Sequence, residues 1–449
     1  MTRTTKEFVD FIAEFMRSEL PDRVVEKARL CVLDYLGCAY VGYGMNKGRV
    51  AALMEAMGMG SSGDIKVLGG DRAANAQTAA LVNGMNAHTA ELDDGHRFAA
   101  VHPGAVVISA LLSSCGGGKV SGNDFLRGVV AGYETTIRLG EAIQPSHKLR
   151  GGHATGTCGT VGAAMAVAVA EGFDFEQTKG AVAAACTSAS GLLEMIDDSS
   201  QLKPYNAGLA AMNGYVSAMM GQAGFCGPDD SLGGERGFLN FMADEYDADA
   251  LTAPCDVYKI EQAYVKPYAA CRHSHPAIEG ALGLASEHSI IPDDIASIDI
   301  HTYKLAIPGH DSTNISSAEA AKMSTPFSVA TAIANQSAGI EAFREDKVAD
   351  RAILELASKV RMSECKEMTA ASPAVRAAEI VVSLHNGKRL SKRVDHPLGE
   401  PENPMSEEMI VEKFRSLAGS AEICEERVAT IIAATMSMDM DLANWYKAI

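Results

Sequence analysis

The sequence predicts a mainly α protein in which a large all-helical domain is interrupted by a smaller α+β domain. Two patterns carry that expectation. From Pro21 to about Gly224 the apolar residues recur at helical spacing, whereas around Ile295 they alternate with period two. Composition points the same way, since 42 Gly and 21 Met with only 6% aromatic residues favour closely packed helices over a β-sandwich. The expected boundaries are 1–265 with 400–449 for the helical domain and 266–399 for the α+β domain.

In chain order, RVVEKARLCVLDYLGCAYVGYG, AANAQTAALVNGMNAHTAELDD, GAVVISALLSSC and FLRGVVAGYETTIRLGEAI each read as helix. Ser121, Asn123 and Asp124 offer N-cap chemistry before Phe125, and the glycines at 116–118 end the preceding helix. Ala and Gly on most positions let such helices approach and surround one another. IASIDIHTY then alternates as a strand, and EIVVSLHNGKRLSKRV reads as a hairpin with a two-residue turn at Asn386-Gly387. Between them FSVATAIANQSAG and ADRAILELASKV look helical. After Pro401 and Pro404 the chain returns to helix in SEEMIVEKFRSLAGS and EICEERVATIIAATMSM, which can rejoin the first domain and make the α+β unit an insertion. No internal repeat is visible.

A chain of 449 residues has room for two or three folding units, and 47% hydrophobic with 21% charged residues excludes disorder and low complexity. With 39 basic against 57 acidic residues the net charge is -18, the wrong sign for nucleic acid or an anionic membrane surface. An anionic substrate would need a locally basic pocket. The N-terminal stretch is an amphipathic helix rather than a signal peptide, and the long uncharged stretches Phe98–Gly118 and Ala154–Ala170 are too interrupted to span a bilayer. Ten Cys without any C-x-x-C signal neither a zinc module nor a disulfide framework, so reduced thiols in the cytoplasm are expected.

Three segments carry chemistry. In HTAELDDGHRFAAVHPGAVV, residues 88–107, His88, Glu91, Asp93, Asp94, His96, Arg97 and His102 crowd the end of an apolar helix and the loop beyond it. Asp94 and Gly95 are expected to stop that helix, and His102-Pro103-Gly104 stands where the next begins, beside free backbone N–H groups suited to an anion. His88 and Glu91 would share a helix face, so a metal is the rival reading, but no second ligand pair of recognisable spacing accompanies them and no metal is expected. The bland alternative is a solvated loop whose acids cap helix ends. In LRGGHATGTCGTVGAA a glycine-rich turn carries His153 into a small-residue helix; it lacks the ending of a Walker loop and can equally be glycine used for packing. Lys203 in LKPYNAG and Lys266 in VKPYAACRHSHP each precede Pro in an extended stretch leading to a helix N-terminus. An ammonium there is a poor partner for the helix dipole unless an anion lies between. Ordinary surface lysines are the alternative.

In family order, the LDYLGCAYVGYG helix, NGMNAHTAELDD…HPG, GGHATGTCGTVGAA, LKPYNAG and VKPYAACRHSHP together resemble the MmgE/PrpD family over nearly the whole chain. The family includes 2-methylcitrate dehydratase, cis-aconitate decarboxylase and iminodisuccinate epimerase. The resemblance implies a helical domain built from both termini, an α+β lid, a homodimer, and cofactor-free chemistry beside a carboxylate of a small di- or tricarboxylic acid. Carried over by residue, it makes His102 and His153 the acid/base candidates, Lys203 and Lys266 the carboxylate clamps, and Asp93 or Asp94 the group orienting a histidine. Glu91, Asp94, His96, Tyr268, Cys271, Arg272 and His273 are the candidate substrate-binding residues. The chain departs from the family pattern at Glu91, where an Asp is usual, at Cys271, where the decarboxylase pattern has a histidine, and at Phe327, where it has a tyrosine. Dehydration or decarboxylation is the expected reaction, with epimerisation, metal-assisted hydrolysis and a non-catalytic metabolite-binding paralogue as alternatives. His102, His153, Lys203 and Lys266 are expected to converge in one cleft between the helical domain and the lid.

Overall fold

The computed structural model describes residues 4–57, 63–115, 120–196, 200–254, 256–438 and 441–449. The protein is mainly α, and the chain divides into two compact units. The larger comprises Met1–Met195, Leu202–Val265 and Ser406–Ile449, and the smaller Ile196–Gln201 and Lys266–Met405.

At the centre of the larger unit is helix Ala154–Ala170, ATGTCGTVGAAMAVAVA, whose residues are all buried except Val169. No face of that sequence carries charge, so the helix has no side to present to water and must be surrounded. Helices Gly122–Ile143, Lys203–Gln222, Pro103–Ser114 and Phe175–Ser188 surround it. Glycine sets the closeness of approach. A Cβ at Gly162 would lie 1.8 Å from Thr136 Oγ1, and one at Gly214 only 2.4 Å from the Ala163 Cβ. Helix Ala76–Thr89 crosses Lys203–Gln222 through a glycine pair, where a Cβ on Gly208 would stand 2.3 Å from the Leu81 carbonyl oxygen. Ser406–Ile449 belongs to this unit, and its helix Glu407–Ser420 packs on the long helix Asp22–Ala56. Lys413 there reaches buried Asp34 at 2.5 Å and donates to the Leu92 carbonyl at 2.7 Å. Ser121 caps Gly122–Ile143 by accepting from the Asp124 N–H, as its position suggested, while the glycines at 116–118 lie outside the described residues.

The smaller unit contains a four-stranded sheet in the order Val360–Glu364, Ile295–Thr302, Ala378–Leu384, Arg389–Val394. The first pair is parallel and the others antiparallel. Helix His275–His288 packs on the two strands of the hairpin. Strand Val360–Glu364 is unforeseen, because its alternation covers only Val360 to Ser363 and begins inside ADRAILELASKV, whose spacing reads as helix. The hairpin turns where expected but with different geometry. Gly387 has a φ of 85° and Asn386 is not among the positive-φ residues, so the two-residue turn with φ > 0 at both positions is not formed. Instead Gly387 N–H donates to the Leu384 carbonyl and Leu384 N–H to the Lys388 carbonyl, closing a three-residue loop with glycine in the left-handed position.

Because the Leu81 carbonyl oxygen, which is backbone and cannot swing aside, is the nearest atom to Gly208, ahead of the Met85 side chain, Gly208→Ala should force the two crossing helices apart and cost roughly 1–3 kcal/mol. Chemical denaturation of the variant beside the parent protein measures this. An unchanged midpoint and slope would show that the crossing has slack.

Candidate active site

Three helix starts bring the chemistry of the larger unit together. Helix Ala76–Thr89 stops earlier than the sequence suggests, with Ala90 as its C-cap and Glu91 in the left-handed region at φ 56°. That conformation is costly for a residue with a Cβ, by about 1–2 kcal/mol, and it turns the chain sharply enough to bury Asp93 and Asp94. Glu91 therefore does not share a helix face with His88; its carboxylate pairs with Lys203 Nζ. His102 is the N-cap of Pro103–Ser114 and His153 that of Ala154–Ala170, and the His102 N–H donates to Thr155 Oγ1 at 3.1 Å, tying the two starts together. Lys203 is the first residue of its helix rather than part of an extended lead, and Asn206 in the same turn donates to His153 Nδ1 at 3.1 Å.

Hydrogen-bond partners fix the tautomers of the two candidate histidines. His102 Nδ1 stands 2.7 Å from the Asp94 carbonyl oxygen, which only accepts, so Nδ1 carries the hydrogen and Nε2 keeps its lone pair in the neutral ring. The Asp93 carboxylate lies 3.4 Å from the same Nδ1, placed to favour the imidazolium once Nε2 takes a proton. His153 is the reverse. The Asn206 amide is oriented by its second bond, to the Leu192 carbonyl, so His153 Nδ1 accepts and its hydrogen sits on Nε2. Burial, and then the positive potential of His88, Lys203 and His102, hold the His153 pKa well below its ordinary value, so this ring is a neutral N–H donor.

Behind these two stands His88, whose Nδ1 meets Asp93 Oδ2 at 2.7 Å and whose ring centroid is 4.8 Å from that of His102. His88, Asp93 and His102 place one donor atom each within 4.8 Å of one another, close enough for a shared ion, although Nδ1 of both rings is directed to Asp93 or to the Asp94 carbonyl. Asp94 accepts from Tyr133 Oη at 2.5 Å and from the Gly104 N–H at 3.1 Å. Even so, burial lifts its pKa to about 7. His96 is held by the Ala99 N–H and stands 3.7 Å from Glu141.

The remaining candidates belong to the smaller unit. Lys266 is buried, and the next α-helix begins only at His275, so its Lys-Pro pair does not open a helix as the Lys203 pair does. The Tyr268 ring packs edge-on against His275, and burial raises its phenol. Arg272 is committed to Glu400 in a buried ion pair. Cys271 lies 3.9 Å from His310 Nε2, and His273 Nδ1 is 2.5 Å from Tyr303 Oη. Phe327 is a core residue packed against Phe343. Asn206 and Lys413 are legible only as parts of motifs read for other residues, and Tyr133, on the buried side of an amphipathic helix, has no sequence signal.

Residues 6–251 match the model of the MmgE/PrpD N-terminal domain and residues 268–438 that of the MmgE/PrpD C-terminal domain. A cis-aconitate decarboxylase of Aspergillus terreus is 24% identical over 464 residues, covering 97% of this chain and 93% of that protein. The cis-aconitate decarboxylase-like protein oryM of Aspergillus oryzae is 27% identical, covering 97% and 94%. A cis-aconitate decarboxylase of Homo sapiens is 26% identical, covering 92% and 87%.

With a folded-state pKa of about 7 against an ordinary 3.8, Asp94 keeps a proton in the folded protein that the unfolded chain releases. Stability therefore drains as pH rises through that window and is fully present only below it. Asp94→Asn removes this titration, so the melting temperature of the variant relative to the parent should rise between pH 5 and pH 8. A constant gap across scanning calorimetry at those pH values would mean that Asp94 is ionised throughout.

Proposed function

Because the chain belongs to the MmgE/PrpD family, whose two domain models together span residues 6–251 and 268–438, we propose that it is a cofactor-independent lyase. It acts beside a carboxylate of a small di- or tricarboxylic acid, and decarboxylation of an unsaturated acid or dehydration of a hydroxy acid is its reaction. One observation carries the reading: two neighbouring histidines held in opposite tautomers, a lone pair on His102 Nε2 and a hydrogen on His153 Nε2.

In a dehydration, His102 Nε2 takes the proton from the carbon next to a carboxylate, and the electron pair moves into that carboxylate. The pair then returns to form the alkene as the carbon–oxygen bond breaks, and the hydroxyl leaves as water with the proton that His102 had taken. In a decarboxylation, His102 enters as the imidazolium, having taken a proton from water at Nε2; the carbon–carbon bonding electrons stay on the substrate as CO2 departs, and His102 Nε2–H gives that proton to carbon. Both routes build negative charge on carboxylate oxygens, which the His153 N–H and the Lys203 ammonium stabilise. Lys203 meets this charge already paired with Glu91, so substrate must share or displace that carboxylate. Lys266 is proposed as a second carboxylate ligand on its motif alone. We also propose a homodimer, in which a second copy covers apolar side chains such as Leu149, Phe225 and Phe241.

Incubation in D2O with citrate, 2-methylcitrate, cis-aconitate and iminodisuccinate, followed by NMR, tests the reaction class. Alkene formation or CO2 loss is expected. Exchange with inversion alone marks an epimerase, and binding without turnover marks a metabolite-binding paralogue. His102→Gln should lower kcat by about 10²–10⁴-fold, whereas Lys203→Met and Lys266→Met should chiefly raise KM. Normal turnover in the His102 variant would refute the mechanism, and light scattering at the 47.3 kDa monomer mass would refute the dimer.

A further inference from the structure

We propose that Cys271, His273 and His310 in the smaller unit form a binding site for one divalent transition-metal ion of the zinc type. One donor atom from each lies within 4.8 Å of the others. The Cys271 Sγ to His310 Nε2 distance is 3.9 Å, whereas two ligands of a tetrahedral zinc, at about 2.3 and 2.0 Å from the ion, stand roughly 3.5 Å apart. Little contraction is needed for that pair.

What separates this group from a chance meeting of polar side chains is how the rings are held. The His310 Nδ1 lies 3.0 Å from the Met323 carbonyl, which only accepts, so Nδ1 carries the hydrogen and the Nε2 lone pair faces the thiol. The His273 Nδ1 stands 2.5 Å from the Tyr303 hydroxyl, whose oxygen can accept from Nδ1–H and leave Nε2 as a donor to metal. A second hydrogen bond of this kind on the ring nitrogen away from the ion is the usual support of a histidine ligand.

The backbone is fixed as well. The Cys271 N–H donates to the Lys322 carbonyl, the Thr325 N–H to the His310 carbonyl, and the hydroxyls of Ser274 and Thr325 meet at 2.7 Å. The donors come from two segments pinned to the same stretch of chain, so little ordering cost remains at binding. The guanidinium of Arg272, between the two ligands in sequence, is neutralised by Glu400. A thiolate with two imidazoles selects zinc, cobalt or copper over magnesium and calcium, and three protein donors leave a fourth position for water or a carboxylate.

The test is titration of the full-length, chelator-treated protein with Co2+ and with Zn2+. One Co2+ per chain is expected, with the near-ultraviolet charge-transfer band of a thiolate ligand, displaced by stoichiometric Zn2+. Cys271→Ser should abolish the band, and His310→Ala should weaken affinity at least tenfold. His88→Ala, which removes a donor from the larger unit's group, should leave both unchanged. A second measurement needs no variant: Zn2+ should protect Cys271 from iodoacetamide, read by peptide mass spectrometry, while exposed Cys226 and Cys424 label equally with and without it. No bound Co2+, a band that survives Cys271→Ser, or alkylation of Cys271 unaffected by Zn2+ would overturn the proposal.

Discussion

The burial of a short acidic loop, residues 91–94, is the constraint on which the larger unit's architecture turns. Three carboxylates removed from water would each cost several kcal/mol if left alone. Each is instead met by a group from a different element. Glu91 meets Lys203, Asp93 meets His88, and Asp94 meets Tyr133 together with the backbone at Gly104. The helices supplying these partners are forced to end or cross close by, and small residues at their crossings let the backbones come near enough. Packing by Ala and Gly and the chemistry of the loop are thus one problem solved together.

A consequence is that neighbouring histidines differ in what they can do. His153 is kept neutral by its burial and then by the nearby Lys203 ammonium, whereas His102 has a carbonyl and a carboxylate at its back. Opposite environments at close quarters hold two chemically identical rings with their ring hydrogens on opposite nitrogens.

Much of this was legible in the sequence, for identifiable reasons. His102, His153 and Lys203 announce themselves because each sits at a helix start marked by Pro or Gly, and helix starts leave a local trace. The mainly α class follows from periodicity, and the return of the chain after Pro404 from a change in texture. What escaped depends on coincidences in space. Nothing near Glu91 signals a left-handed residue, since Glu has no special tolerance for that conformation, and the sequence points to Asp94-Gly95 as the helix end instead. The ties of Lys413 to Asp34 and Leu92, and of His310 to Cys271, join segments with no shared pattern. The edge strand at Val360 and the three-residue loop before Lys388 are set by pairing partners rather than by their own residues.

Lys413 and the Leu92 carbonyl that it holds are separated by 321 positions. During synthesis at about 5–20 residues per second, the acidic loop leaves the ribosome some 15–65 s before the lysine that clasps it has been made. For that interval the nascent helices carry Asp34 without its cation and the long helix without the cover of Phe414 and Leu417. The last helices to be translated are therefore the ones that complete the first, and a ribosome that stalls late releases a chain in which the acidic loop and the histidines around it are all present and the clasp that holds the loop is not.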